Sequence, residues 1–268
     1  MSYRHSVVKE LKESLHRKRI LFIVFAFCLF YLFYASQKAS YSFTNSLSLF
    51  TFFLENLLPM TFPLLAVFIY LGKFSAELNH RFIFYTRTRM ALGKTIISKF
   101  LVNFMLTFAV FFLYVFITFL YAFYIDPFFG LTEYFNPDMT VAEMEKDRLE
   151  RHTFTQLLVY GDFIYGVLYS TWVGVNAAVW SSFGFLLLLV MNRSYVALTI
   201  PYLAYLAQVF FFGNPTLQPY RFSFSVFPYG FTQQEIWTAF IPLGALVIIC
   251  LALSLYVRLK FRTLDNFL

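Results

Sequence analysis

The side chains able to do chemistry are few, and they stand at the edges of long apolar runs. His5, His16, His80 and His152 all fall outside those runs. Glu55 lies toward one end of an apolar stretch and Asp162 just ahead of another, so both can reach an interface. Ser181-Ser182 sits deep inside a run with no base beside it to activate a hydroxyl. Cys28 and Cys250 are isolated in apolar sequence, which excludes a CxxC metal motif and a disulfide framework. Leu92-Gly93-Lys94-Thr95 ends like a phosphate-binding loop, but Thr88 stands where the loop needs Gly and no strand precedes it. The chain is therefore read as a non-enzyme, with no catalytic residue, no metal site and no cofactor of its own. A proton- or sodium-coupled carrier would hold carboxylates or broken helices near the midplane, and the runs offer neither.

Those runs define the class. Of 268 residues, 60% are hydrophobic, 23% aromatic and 13% charged, against about 25% charged in a soluble domain. So few charges cannot cover a water-exposed surface, and the outside must face lipid. The expected fold is all-α and polytopic, a single domain over residues 1–268. A helix needs about 20 apolar residues to cross a hydrocarbon core of roughly 30 Å. Six stretches meet or approach this: Ile20–Ala35, Leu49–Leu71, Phe100–Ile125, Phe163–Met191, Tyr195–Phe212 and Ile236–Val257. They are continuously apolar, not alternating as barrel strands are, so helices are expected. The first run is short enough for a signal peptide, but the 19 residues before it are unusually long and patterned as structure, which favours a span.

Charge sets the orientation. With six spans, 16 of the 21 Lys and Arg fall on the side of both termini, while ten of the 14 acidic residues fall opposite. The positive side is cytoplasmic. Both termini are thus expected in the cytoplasm and the chain in a cell membrane, with lipid rather than nucleic acid answering its net charge of +7.

The loops add detail. Val7, Val8, Leu11 and Leu15 recur at helical spacing among Lys and Arg, which predicts an interfacial helix over Ser6–Arg19. The cytoplasmic loop Gly72–Lys99 embeds Phe82, Ile83, Phe84 and Tyr85 among Arg81, Arg87 and Arg89. An apolar patch in so basic a loop predicts a short amphipathic helix pressed on a partner or on the membrane. Outside, Thr140-Val-Ala-Glu143 has capping-box spacing, and the acidic residues after it alternate with Lys146, Arg148 and Arg151. A solvated external helix is expected there. Residues Gly213–Glu235, rich in Pro and Phe, suit short helices or a re-entrant turn.

In the fourth run Gly166, Ser170, Gly174, Ala178 and Ser182 follow at four-residue steps. Such small residues let helix backbones approach closely in lipid. The row winds by about 40° per step, so it serves no single straight contact. Packing within the chain, a seam between subunits and the wall of a path all remain open. Pro59, Pro63, Pro201 and Pro242 lie inside runs, where neighbouring helices can satisfy the freed carbonyls.

This layout resembles the membrane subunit of ABC type-2 exporters: interfacial helix, six spans, a basic loop after the second, and extra structure before the sixth. The most specific part is Glu77, followed by the basic and apolar stretch to Gly93-Lys94 and Ile97-Ser98-Lys99-Phe100. Asn79-His80-Arg81-Phe82 stands where the family usually carries a Gly-Thr pair, and the acidic segment between the third and fourth runs is longer than is typical. The resemblance implies that Glu77, Arg81, Phe82, Phe84, Tyr85, Arg87 and Arg89 couple the chain to a separate ABC ATPase, which would hold the ATP and Mg. It also implies a second permease subunit facing this one, and a bacterial plasma membrane as the setting. Peptide, lipid and drug remain open as cargo. The alternative function is a non-transporting membrane scaffold or immunity protein acting through the external helix.

Overall fold

The computed structural model describes residues 3–55, 57–80, 92–135, 139–230 and 232–260. These form a helical bundle without strands; the only pairing of extended backbone among them is one isolated bridge between Phe43 and Tyr134. In chain order the helices are α1 (Tyr3–Ser14), α2 (Arg17–Gln37), α3 (Ser46–Leu54), α4 (Leu57–Phe68) and α5 (Leu71–Asn79). Then come α6 (Leu92–Leu120), α7 (Asp126–Phe129), α8 (Val141–Glu150), α9 (Asp162–Val190), α10 (Ser194–Phe211), α11 (Phe222–Val226) and α12 (Ile236–Lys260). Five helical segments are long and apolar enough to cross a membrane: Arg19–Ser40, Gly93–Phe129, Asp162–Val190, Ser194–Phe211 and Ile236–Leu259.

The second apolar run does not form the single helix its composition predicts. It breaks after Leu54 into α3 and α4, which meet at a bend of 52°. The cause is local. Glu55 takes an extended backbone conformation at the end of α3, and the Tyr34 hydroxyl occupies the gap, donating to the Glu55 carbonyl and accepting from the Leu57 N–H. Buried Tyr34 thus supplies what the interrupted helix ladder lost. The bent pair still runs the length of the bundle. Phe50 of α3 packs on Phe119 and Tyr165 at one end, and Val67 of α4 lies against Gly184 at the other.

Three other boundaries differ from the sequence reading. The expected Ser6–Arg19 helix ends at Ser14, and His16, extended, starts α2 at Arg17. Of the stretch Gly72–Lys99, read as a loop, the described parts are almost wholly helical: α5 covers its start, and α6 begins at Leu92, well before Phe100. A π-helical turn at Tyr121–Ile125 then carries α6 into α7. By contrast, the Thr140 capping box is present. The Thr140 N–H donates to the Glu143 carboxylate at 2.7 Å, and the Glu143 N–H donates back to the Thr140 hydroxyl at 3.4 Å.

Helix α9 is the centre of the bundle. Of its most apolar stretch 89% is buried, against 11% for α2 and 17% for α12. α2 and α12 expose large apolar side chains such as Phe22, Leu32, Leu251 and Leu259, as surfaces against lipid must. α9 meets α6 through its small residues. Phe108, Phe112, Phe116 and Phe119 stack along α6, with Gly166 under Phe119 and Gly174 under Phe108. Ser170 and Ser182 return their hydroxyls to carbonyls one turn earlier, and Ala178 is fully buried. Farther along, Gly184 faces Val67, Leu71 and Pro201 instead.

Candidate functional site

The charged groups gather at two levels. At the face that carries α1, which we call the near face, four of them close a ring. Glu10 of α1 accepts from Lys73 of α5 at 3.0 Å and from Lys99 of α6 at 2.8 Å. Glu77, one turn beyond Lys73, accepts from Lys99 at 2.6 Å and lies 3.5 Å from Lys73. The Tyr70 hydroxyl donates to Glu10 at 2.9 Å, and Ser14 lies 3.5 Å from Lys73. Two acids and two bases alternate, so the ring is neutral. Its side chains are only 8% to 18% exposed.

The local sequence explains the geometry. Lys73 and Glu77 are four residues apart on α5 and therefore share a face. Glu10 sits on the inner side of α1, whose Val7 and Leu11 pack on the core while Val8 stays half exposed. Burial alone would raise the Glu10 carboxyl, but Lys99 and Lys73 outweigh it and hold the group at about 2, below its ordinary 4.5. The ring's contribution is therefore complete above pH 4.5 and is lost as the pH falls toward 2.

The ring fastens α1 to both ends of residues 80–91. Lys99 is buried in the second turn of α6 on one side, and Glu77 and Asn79 end α5 on the other. Asn79 also accepts a 2.7 Å hydrogen bond from Ser194 at the start of α10. Of the residues expected to couple to an ATPase, Glu77 lies in the ring. Arg81, Phe82, Phe84, Tyr85, Arg87 and Arg89 lie outside the described residues. Sequence reasoning missed Glu10, Lys73, Lys99 and Tyr70. The Lys73–Glu77 spacing was the available signal, hidden because the stretch was read as loop.

At the far face, buried Asp126 accepts from Lys38 at 3.0 Å and from the hydroxyls of Thr132 and Tyr134, both at 2.7 Å. This joins the end of α2 to the tip of α6. Nearby His152 is buried: its Nδ1 accepts from the Phe154 N–H, and its Nε2 lies 3.3 Å from the Tyr165 hydroxyl. Tyr229 donates to Tyr169 at 2.6 Å, which donates to the Val226 carbonyl, while Trp172 donates to that of Ser225. The segment 213–230 is thereby drawn down against α9. Arg148 pairs with Asp162 and Glu145, and Arg151 with Asp147, so two of the four acidic residues of α8 are met by basic residues on or next to that helix.

Burial, with the Arg151 charge adding, lowers His152 from its ordinary 6.5 to about 3. The far-face cap is thus fully stable above pH 6.5 and weakens as the pH falls from there toward 3, because the unfolded chain takes a proton that the folded one refuses. The slope is about 1.4 kcal/mol per pH unit. Thermal unfolding followed between pH 6.5 and 5 should show a falling midpoint, and His152→Asn should flatten that fall. A parallel decline in both proteins would rule His152 out as the cause.

No family model, curated protein or solved structure matches the chain.

Proposed function

We propose that the chain is the membrane-spanning permease subunit of an ABC exporter of the type-2 kind, paired with a second such subunit and driven by a separate ATPase. In this reading the near face is cytoplasmic, and the bent α3–α4 pair counts as one of six spans. The observation that carries it is the ring of Glu10, Lys73, Glu77 and Lys99. An interfacial helix and both ends of the 80–91 connection are tied into one body, so a push on that connection would reach α1, α5, α6 and α10 together. A chain with no phosphate-binding loop needs energy from elsewhere, and a docked ATPase would deliver it there. The cargo would be amphipathic or hydrophobic, in keeping with the aromatic interior.

Purification of the tagged chain from its native membrane should bring an ATPase subunit with it. Phe84→Ala should weaken that association about five-fold or more, since removing an apolar anchor commonly costs over ~1 kcal/mol, whereas Arg4→Ala should leave it unchanged. An unaltered yield of ATPase with Phe84→Ala would end the docking role, and absence of any ATPase would end the permease reading. Orientation has its own check. A cysteine at Ser2, in a chain with Cys28 and Cys250 replaced, should resist an impermeant thiol reagent added to intact cells.

A further inference from the structure

Seven buried polar side chains have an atom with no hydrogen-bond partner among the described residues, and three of them lie together: Trp180 at Nε1, Tyr205 at its hydroxyl and Gln208 at Nε2. Their exposures are 1%, 3% and 3%. They come from two helices and meet around one ring. Trp180 of α9 packs edge-on against Tyr205 of α10, with centroids 5.6 Å apart, and against Phe222 of α11 at 5.1 Å. Gln208, three residues beyond Tyr205 on the same side of α10, accepts the Phe222 backbone N–H through Oε1. Its free Nε2 belongs to that same amide and stays beside Phe222. Phe222 itself is only half-buried, which makes it the least covered member of the group.

Leaving a buried donor unmade is more costly than a made hydrogen bond is favourable, and hydrocarbon supplies no water to compensate. Two of the three groups are N–H donors, and the third is a hydroxyl that can also donate. The set is complementary to a hydrogen-bond acceptor. The surroundings are apolar: Phe62 packs on Tyr205 and on Phe227. Gln208 lies within one turn of the end of α10, a helix of 18 residues and so roughly 27 Å long, about the thickness of the hydrocarbon core. If α10 spans the bilayer, Gln208 stands toward the boundary where the carbonyls of acylated molecules lie, with Tyr205 about one turn deeper. The opposite side of α10 exposes Leu203, Val209, Phe210 and Phe211.

We propose that Trp180, Tyr205 and Gln208 bind the carbonyl oxygen of an amphiphile that enters from the bilayer past Phe222 and lays its apolar part along α10. The site does not depend on the transport reading. The carbonyl can come from the acyl ester of a bilayer lipid or from another acylated molecule, and the test separates the two.

The full chain is reconstituted in nanodiscs with a diazirine-bearing phosphatidylcholine, in an ester-linked form and in an ether-linked form that lacks the carbonyls. After photolysis, the ester form should label the stretch 202–226 about five-fold more than the ether form, the factor expected for one net hydrogen bond. Trp180→Phe combined with Gln208→Leu should bring ester labelling down to the ether level while labelling of α2 stays constant. Displacement of the ester probe by an excess of an N-acylated dipeptide assigns the site to non-lipid acyl compounds; persistence of the label assigns it to lipid. Equal labelling by the two lipids overturns the proposal, as does ester labelling that the double variant leaves intact. If the double variant does not fold, the ester–ether comparison on the unaltered chain decides alone.

Discussion

Lys99→Met should be among the most destructive single changes in the protein, costing about 3–5 kcal/mol. It removes one base from a nearly closed ring and leaves Glu10 and Glu77 with Lys73 alone, and breaking a buried pair by deleting one partner carries a penalty of that size. The methionine keeps most of the side-chain volume, so the loss is electrostatic and not a cavity. A charge-balanced deletion provides the contrast. Lys73→Met together with Glu77→Gln leaves the Glu10–Lys99 pair intact, at 2.8 Å, and should cost less than Lys99→Met although it changes two residues. Thermal unfolding in detergent, with fluorescence-detected size exclusion to follow folded yield, measures both. A cost below ~1 kcal/mol for Lys99→Met would mean that water screens the ring as it screens a surface pair.

Gly174→Leu comes next. A β-carbon at Gly174 would stand 3.0 Å from the Phe108 ring and 3.1 Å from the Phe108 carbonyl oxygen. A ring can turn aside, but a backbone carbonyl cannot move without parting α6 from α9. Overpacking commonly costs about 1–3 kcal/mol, and a leucine at this crossing should meet or exceed the upper end. Gly166→Leu should be comparable, since its β-carbon would overlap the buried Phe119 ring. Leu187→Ala would be a poor control because Leu187 is buried. Leu251, 64% exposed on α12, is the suitable comparator, and Leu251→Ala should be nearly neutral. Comparable folded yields for Gly174→Leu and Leu251→Ala would mean that α6 and α9 are not held at close range.

What could be read in advance follows from the range of the forces involved. Apolar runs reveal spanning helices because each helix meets its surroundings residue by residue. The capping box at Thr140 is equally local, since both of its hydrogen bonds lie within three residues. The break after Leu54 is of another kind. Phe53-Leu54-Glu55 alone permits a helix; Pro59 has no N–H for the Glu55 carbonyl four residues earlier, and the break this favours is completed by Tyr34, 21 positions before Glu55. The ring likewise needs Glu10 to meet Lys73 and Lys99, separations of 63 and 89 residues. Only its Lys73–Glu77 side is a neighbour pair, and even that spacing is obscured when the stretch is read as a loop. Trp180, Tyr205 and Gln208 carried no signal as a group, because aromatic and amide side chains in apolar runs look like ordinary filling until their unmet polar atoms are located.

The neutrality of the near-face ring has an electrical consequence. A membrane potential does work only on net charge displaced through it, about 2.3 kcal/mol per elementary charge for each 100 mV. Two carboxylates and two ammonium groups that move as one body displace none. Any motion that shifts α1, α5 and the start of α6 together would therefore carry no gating charge from this ring, and any response to potential would have to come from charges outside it, such as Lys9 and Lys12 of α1 and Lys94 of α6.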